Sequence, residues 1–452
     1  MTPATRPDVV QPLVIDLTEW EQVSPVTDPR LKGLSLGNDM RSRRLAETLR
    51  GRLNIRERYD GLEIASTQFV GRVDVGPVRI VVKPKLPTMP LARLLRYAYS
   101  LRNIATVEET HSPNTLNGLQ DLLIALLAAE VEELLHRGLA RRYNPMVGKL
   151  ESPRGRILVD QVIREGGLRE ARLPCKFFER SASWHLNQVL RAGLEDAARR
   201  SEDFGLRRRL HKLSAMFADI EPVARLDYGE IDRAERELTR QTAASLPALT
   251  IIRLLQDDLG VAFDTTQQVS RMPGFLFDMN VFFQRLISRF LHDNLTTARI
   301  ADERPIRKLF AYALDANPRK RSAPSPRPDY ALFRDNKLYG FLDAKYRDVW
   351  ELGLRAEWLY QLSIYALAAP CEVSVLLYAS MSAQARDERV EIRQPIPWSS
   401  KEPASVIVRP VPLPHLAELL DPDRAGSLAG ERAQLADQLV MDQVHKHSML
   451  VA

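Results

Sequence analysis

The sequence predicts a multidomain chain of the α+β or α/β class: a β-rich N-terminal region, a mostly helical middle, and a mixed sheet flanked by helices toward the C-terminal end. Three observations predict it. A run dense in Val and Ile spans Leu62–Leu86, leucines recur at helical spacing from Leu116 to Leu135, and the stretch from Val281 to Tyr378 reads as helix, three strands, helix, strand.

Within Leu62–Leu86, Gly76-Pro77 falls between Val75 and Val78 and marks a turn between two strands. Pro84 and Pro87 end the second strand, because proline donates nothing to a ladder. From about Thr115 the period lengthens. Leu116, Leu119, Leu122, Leu123, Leu126, Leu127, Val131, Leu134 and Leu135 share helical spacing, and Gly138 offers a C-cap. Further helices are expected over Leu186–Ala198 and Arg207–Met216. Val281–Leu295 is amphipathic, with Phe282, Leu286, Ile287 and Phe290 on one stripe. Strands follow at Leu309–Leu314, Tyr330–Phe333 and Leu338–Leu342, the last two flanking a turn at Asp335-Asn336-Lys337. Then come a helix at Trp358–Ala369 and a buried strand at Val373–Tyr378. A last helix over Leu428–Val444, with Leu435, Leu439 and Val440 on one stripe, packs either on the core or on a partner.

At 452 residues the chain has room for about two to four domains. Hydrophobic residues at 45% and charged residues at 27% are ordinary globular usage and exclude wholesale disorder. Cys175 and Cys371 cannot supply a disulfide framework, a four-thiolate zinc site or an iron–sulfur cluster, and they read as buried small apolar residues. Thr2–Val10 is polar and proline-broken, so no signal peptide is expected. The longest apolar stretch, Leu122–Ala129, is far shorter than the ~20 residues that span a bilayer. A soluble, cytoplasmic protein without a membrane partner is expected. The net charge is +6, from 64 Lys and Arg against 58 Asp and Glu, and it is clustered. Arg141-Arg142, Arg199-Arg200, Arg207-Arg208-Arg209 with Lys212, and Arg319-Lys320-Arg321 with Arg327 could each follow a phosphate backbone or simply face solvent.

One constellation carries chemistry. Pro328-Asp329 precedes Asp343-Ala344-Lys345, and two residues apart on a strand point to one face, so Asp343 and Lys345 project together. With the hairpin centred on Asn336, Arg334 pairs with Leu338 and Asp329 falls opposite Asp343, where cross-strand side chains lie roughly 5 Å apart. Adjacent carboxylates repel unless a cation lies between them. Mg²⁺ takes one or two carboxylates plus waters and phosphate oxygens, and it activates water against a phosphodiester. Lys345 would orient the attacking water or stabilise the pentavalent phosphorus. The bland alternative is a surface hairpin with an ordinary ion pair. Apolar Phe341-Leu342 favours the site, since Asp343 then sits near the core edge. Gln361 and Tyr365, four apart on the next helix, share a face and either contact the phosphate or the metal-bound water, or pack and cap. His445 and His447 read as a fraying tail. No Gly-x4-Gly-Lys-Ser/Thr occurs, so the chain itself should not hydrolyse nucleotide.

The element order with Asp329, Asp343 and Lys345 resembles the PD-(D/E)xK nuclease superfamily, and Gln361 with Tyr365 matches the QxxxY motif of its RecB-like branch. Phe69–Pro87, Arg137–Tyr143, Pro153-Arg154-Gly155-Arg156 and Leu186-Asn187 resemble the McrC family, the nuclease subunit of McrBC-type modification-dependent restriction systems. The resemblance covers roughly residues 60 to 380. It implies a Mg²⁺-dependent DNA endonuclease, with Mn²⁺ able to substitute. Asp329, Asp343 and the Ala344 carbonyl would hold the metal, Lys345 would serve the water, and Gln361 and Tyr365 would support the phosphate. It also implies an AAA+ partner of the McrB type, a GTPase or ATPase, engaged and stimulated through the N-terminal region. The implied domains are a β-rich docking region over 1–110, a mainly helical domain over 111–265, a PD-(D/E)xK nuclease domain over 266–400 and a helical extension over 401–452.

One position departs from the family. Many members carry a metal-holding Glu on the first core helix, where this chain has Gln284, a neutral amide that would join the metal more weakly. That departure motivates one rival, a non-catalytic activator of an AAA+ ring that clamps DNA; a third reading, a stand-alone RecB-like exonuclease, has the long N-terminal half against it. The basic loop Arg319–Arg327 leads directly into Asp329 and would put positive charge where a DNA backbone enters.

Overall fold

The computed structural model describes residues 12–37, 39–101, 118–165, 167, 171–256, 274–313, 316–393, 403–424 and 426–448, with side chains as far as 440. The chain forms two compact units: Met1–Ser100 together with Phe263–Ala452, and the intervening Leu101–Ala262. Both mix helices with strands. Among the described residues no helix is long and apolar enough to cross a membrane.

The first unit opens with β1 (Leu13–Thr18), β2 (Gln22–Val23), α1 (Met40–Thr48), β3 (Leu53–Arg58), β4 (Gly61–Ser66), β5 (Phe69–Val75), β6 (Val78–Lys83) and α2 (Thr88–Tyr99). The Val/Ile run yields three strands, not two. β5 and β6 pair around Gly76-Pro77, with Gly76 at a φ of 56°. β4 instead joins a separate sheet in the order β2-β4-β3. Val78, Ile80 and Val82 of β6 are buried while their neighbours are less so, the alternation of a strand with one apolar face.

The second unit begins with α3 (Leu119–His136), buried on nearly every side through Val131 and followed by Gly138 at a φ of 85°. Thr115 and Leu116, the start of the leucine run, lie outside the described residues. Then come β7 (Arg142–Leu150), β8 (Arg156–Ile157), α4 (Val159–Arg164), β9 (Leu173–Ser181), α5 (His185–Arg200), α6 (Phe204–Ala215), α7 (Tyr228–Arg236) and α8 (Leu246–Gln256). The middle of the chain is thus helical on either side of an antiparallel sheet, β7-β9-β8, that sequence patterning does not reveal. Both faces of that sheet are largely exposed, Tyr143, Val147 and Phe178 included, so no apolar period of two marks its strands. Pro145 and Gly148 inside β7 also argue against a strand.

β10 (Gly274–Asp278) returns the chain to the first unit, completing a sheet in the order β1-β6-β5-β10 with Leu276 opposite Gly71. The approach is close. A Cβ on Gly71, at a φ of 144°, would lie 2.0 Å from the Phe275 carbonyl oxygen. β10 runs directly into α9 (Met279–Asn294), whose first turn is capped by Asp278 accepting from the Asn280 and Val281 amides. Phe282, Leu286, Ile287 and Phe290 of α9 are all buried, as their shared stripe predicts.

The unit is completed by β11 (Arg299–Asp302), β12 (Tyr330–Arg334), β13 (Lys337–Lys345), α10 (Val349–Leu352), α11 (Ala356–Ala368), β14 (Val373–Ser380), β15 (Glu388–Glu391), β16 (Ser405–Pro412), α12 (Leu413–Leu419) and α13 (Ala429–Ser448). The strands form a six-stranded mixed sheet, β11-β12-β13-β14-β16-β15, parallel from β13 through β14 to β16 and antiparallel elsewhere. β14 is buried along its whole length, as a parallel strand covered on both faces must be. α9 and α13 pack on each other and on the sheet, and α11 lies along β13, β14 and β16.

Two expectations are corrected here. The strand anticipated at Leu309–Leu314 does not form: Leu309–Ala313 is irregular with Leu309, Phe310 and Tyr312 exposed, and Leu314 lies outside the described residues. Arg299–Asp302 pairs with β12 in its place. The sheet also continues past residue 400 through β16, so the segment 401–452 holds a central strand before its helices. As for the last helix, α13 packs on the core, with Leu439 and Val440 buried and Asp437 accepting from the Thr296 and Thr297 amides.

Gly71→Ala forces the β5–β10 pairing apart and is expected to destabilise the protein by about 2–4 kcal/mol. Gly76→Ala meets nothing closer than 3.5 Å. That substitution carries only the left-handed penalty of about 1–2 kcal/mol. Denaturant unfolding of the two variants measures the difference.

Candidate active site

Turn chemistry sets the site. Asp335 and Asn336, at φ 49° and 62°, form a two-residue turn that closes the β12–β13 hairpin, so Arg334 pairs with Lys337 instead of Leu338. Carried outward unchanged, that register would set Asp329 against Leu342. A bulge at Tyr339 absorbs the difference: Phe333 pairs with Leu338, Leu332 with Gly340 and Tyr330 with Leu342. Asp329 therefore arrives beside Asp343, the placement expected from a turn centred on Asn336, reached by another route.

The side chains converge. Lys345 Nζ lies 2.7 Å from Asp343 Oδ2 and 4.0 Å from Asp329 Oδ2. The Ala344 amide donates to Asp329 Oδ2 at 2.8 Å, locking the two strands' functional residues together. Gln284 of α9 reaches the same cluster, its Nε2 donating to Asp329 Oδ2 at 2.9 Å and lying 3.5 Å from the Ala344 carbonyl oxygen. α9 is tied down by Tyr330, whose hydroxyl donates to the Gln284 carbonyl at 2.6 Å, and by Asn280 Oδ1, which accepts from the Tyr346 amide at 2.9 Å. Sequence reading missed Tyr330 and Asn280; their only signal is a polar group at the end of a strand and in the first turn of a helix.

Gln361 and Tyr365 share a face of α11, and Gln361 Nε2 donates to the Tyr365 hydroxyl at 2.7 Å. Burial raises the Tyr365 hydroxyl to about 12; its bond from Gln361 lowers it in part, and the negative charges of Asp343 and Asp329 raise it. Those charges reach Tyr365, so the pair stands near the carboxylates, although neither side chain bonds to them. The basic loop runs into Asp329 along the chain. Arg319, Lys320, Arg321 and Arg327 are exposed and make no ion pair among the described residues. The side chains of His445 and His447 lie outside the described residues. Cys175 and Cys371 are both buried.

The electrostatics are those of two carboxylates sharing one cation. Burial, and then the charge of Asp343, pushes Asp329 up to about 6 despite Lys345, the Ala344 amide and Gln284. Burial pulls Lys345 down, but Asp343 and Asp329 more than offset it, so its pKa is raised and it stays an ammonium. Asp343 is 2% exposed, and its Oδ1 is buried with no hydrogen-bond partner. An orphaned buried carboxylate oxygen beside a second carboxylate and a backbone carbonyl is an all-oxygen donor set, which suits a hard divalent cation. Among the described residues no group of three or more His, Cys, Asp and Glu is placed to hold a metal ion. Gln284 could add its amide oxygen only by turning over, because its nitrogen now faces Asp329.

A carboxyl whose folded pKa is raised stabilises the fold below its unfolded value of 3.8, and that contribution is lost as pH rises through about 6. Asp329→Asn in metal-free buffer is therefore expected to raise stability at pH 8 by on the order of 1–3 kcal/mol and to change little at pH 4. Thermal melts at the two pH values check it.

Comparison with known proteins adds a family. Residues 64–379 match the model described as McrBC 5-methylcytosine restriction system component. No curated protein matches. Among solved structures, the chain is similar to a half-complex refined from a tetradecameric assembly of Thermococcus gammatolerans McrB AAA+ hexamers with bound McrC. There the identity is 21%, the alignment covers 88% of this chain and 94% of that one, and the TM-score is 0.59. It also matches the cryo-EM structure of the Thermococcus gammatolerans McrBC complex at 21% identity, over 63% of this chain and 89% of that one, with a TM-score of 0.46. The first likeness shows a shared fold. The family match spans more than half of the sequence, and the chain belongs to the McrBC 5-methylcytosine restriction system component family.

Proposed function

We propose that the chain is the Mg²⁺-dependent DNA endonuclease subunit of a McrBC-type restriction complex and works with an AAA+ motor of the McrB type. The observation that carries this reading is the convergence of Asp329, Asp343 and Lys345 on two paired strands, with one buried carboxylate oxygen left unpartnered. No Gly-x4-Gly-Lys-Ser/Thr occurs in the sequence, which fits nucleotide hydrolysis by a partner. The solved assembly of similar fold, in which McrB AAA+ hexamers have McrC bound, supports an AAA+ partner. We place the motor contact in the N-terminal region, residues 1–110. Tyr143, Val147 and Phe178 of the β7–β9 sheet add an exposed apolar surface of the kind that partners cover.

In this reading Asp329, Asp343 and the Ala344 carbonyl hold Mg²⁺, or Mn²⁺ in its place. The bound ion supplies Lewis-acid charge and a water of lowered pKa. Lys345 is already protonated, so it acts by donating to a non-bridging phosphate oxygen as negative charge builds there, not by removing a proton. The Tyr365 hydroxyl accepts from Gln361 and keeps its own proton for the phosphate. The exposed basic loop before Asp329 guides the DNA backbone inward.

Gln284 favours one other reading, a DNA-clamping activator without catalysis, because its amide engages Asp329 and sits against the Ala344 carbonyl. Cleavage assays with the motor present separate the two. Asp343→Ala and Lys345→Ala are each expected to slow cleavage at least about a thousandfold, ~4 kcal/mol of transition-state stabilisation, while stimulation of motor hydrolysis persists. Wild-type cleavage by either variant would sink the nuclease assignment, and a wild-type complex that cuts nothing with Mg²⁺ or Mn²⁺ would favour the clamp. Gln284→Glu is expected to tighten Mn²⁺ binding about tenfold in calorimetry, since a third carboxylate joins the donor set.

A further inference from the structure

We infer that Arg347 and Arg355, packed against Trp20 and Trp358, form a binding subsite for a DNA backbone phosphate beside the scissile one; this deepens the nuclease reading and rests on it. The Arg347 guanidinium carbon lies 5.4 Å from the centroid of Trp20 and 5.8 Å from that of Trp358, and the Arg355 carbon lies 5.6 Å from each. Two cations therefore share one pair of indoles. Neither makes an ion pair among the described residues. Burial, and then the charge of Arg355, pulls Arg347 below the usual guanidinium range, with Glu357 offsetting part of it.

Donors outnumber acceptors at this spot. Arg347 spends Nη2 on the Leu352 carbonyl at 3.3 Å, but its Nε and Nη1 are buried without a partner, and so is Trp20 Nε1. Buried donors left unmade are destabilising, and like charges held together add to the deficit. An anion supplies both the missing acceptors and the missing charge. Cation–π contact with the indoles holds the guanidiniums in place meanwhile.

Position and chemistry select the anion. Arg347 follows Lys345 by two residues, so its Cα lies within about 7 Å of the Lys345 Cα along the chain. A phosphate at the cluster is then a near neighbour of one at Lys345 on the same strand. The planar arginine fork matches phosphate oxygens, and indole faces serve as platforms for unstacked bases. Arg347, Trp20 and Lys85 also line a cavity of about 300 Å³, which gives the strand space. Three carboxylates share that lining. Glu19 is pushed up to about 7 by burial and accepts from the Tyr346 hydroxyl, Asp348 accepts from Ser380, and Glu351 is exposed.

The test is binding of a fluorescein-labelled 20-nucleotide single strand, and the matching duplex, to the full chain in Ca²⁺ over a range of salt. The double variant Arg347→Gln/Arg355→Gln is expected to bind at least about tenfold more weakly and to lower the slope of log K against log[salt] by about 1–2. Arg347→Lys/Arg355→Lys is expected to restore the slope but only part of the affinity, because the charge returns without the fork. A thermal melt that matches wild type shows that the loss is not unfolding. If the Gln variant does unfold, the Lys variant alone decides, with wild-type affinity overturning the subsite. Unchanged affinity and slope in a folded Gln variant, or no DNA binding by the wild type, also overturns it. Binding that depends on these arginines in a chain that never cuts DNA would keep the subsite and remove the nuclease.

Discussion

Two carboxylates and one ammonium held at one point of a β-hairpin form the constraint on which the first unit depends. Asp329 and Asp343 repel, Lys345 answers only part of that repulsion, and the protein must hold all three against it. The means are local. A two-residue turn and a one-residue bulge at Tyr339 fix the register, and the Ala344 amide clamps the Asp329 carboxylate. Removing the bulge would shift pairing by one and send Asp329 to the other face of the sheet. The parallel core of β14 and β16 behind the hairpin is buried on both faces and gives it a rigid backing.

The N-terminal region contributes to the same point from a distance in sequence. β5 pairs with β10 so closely that only glycine fits at Gly71, and β10 leads straight into α9, which presents Gln284 to the carboxylates. One covalent stretch, residues 274–284, thus links a sheet built from residues 13–83 to the cluster. The raised pKa of Asp329 and the unpartnered Asp343 oxygen are local costs of this arrangement, of the kind that cluster at functional sites.

The parts of this architecture legible in the sequence were those with a strong period or a short range. The amphipathic stripe of α9 and the Gly76-Pro77 hairpin follow from spacing and turn chemistry, whereas Asp329 comes beside Asp343 only because a bulge at Tyr339 makes up for a turn tighter than the sequence suggests. The β7–β9 sheet did not show, because neither of its faces is buried and proline and glycine interrupt it. Leu309–Ala313 had the apolar residues of a strand but found no partner, while Arg299–Asp302, with one buried residue among four, took the ladder. β16 lay hidden because its place in the sheet comes from crossover topology, which local pattern does not encode. Within the site, Gln284 was readable as a departure from a family pattern, but its bond to Asp329 was not. The Trp20 and Trp358 cluster joins residues more than 300 positions apart, beyond any motif.

In the proposed function the Asp329–Asp343 cluster is a divalent-cation site built for phosphodiester chemistry. Anomalous diffraction from crystals grown in Mn²⁺ tests it most directly. The expected result is one strong anomalous peak within coordination distance of the Asp329 and Asp343 carboxylates and the Ala344 carbonyl, with Asp343 Oδ1 among the ligands. An empty cluster at saturating Mn²⁺, with Lys345 still paired to Asp343, would contradict it.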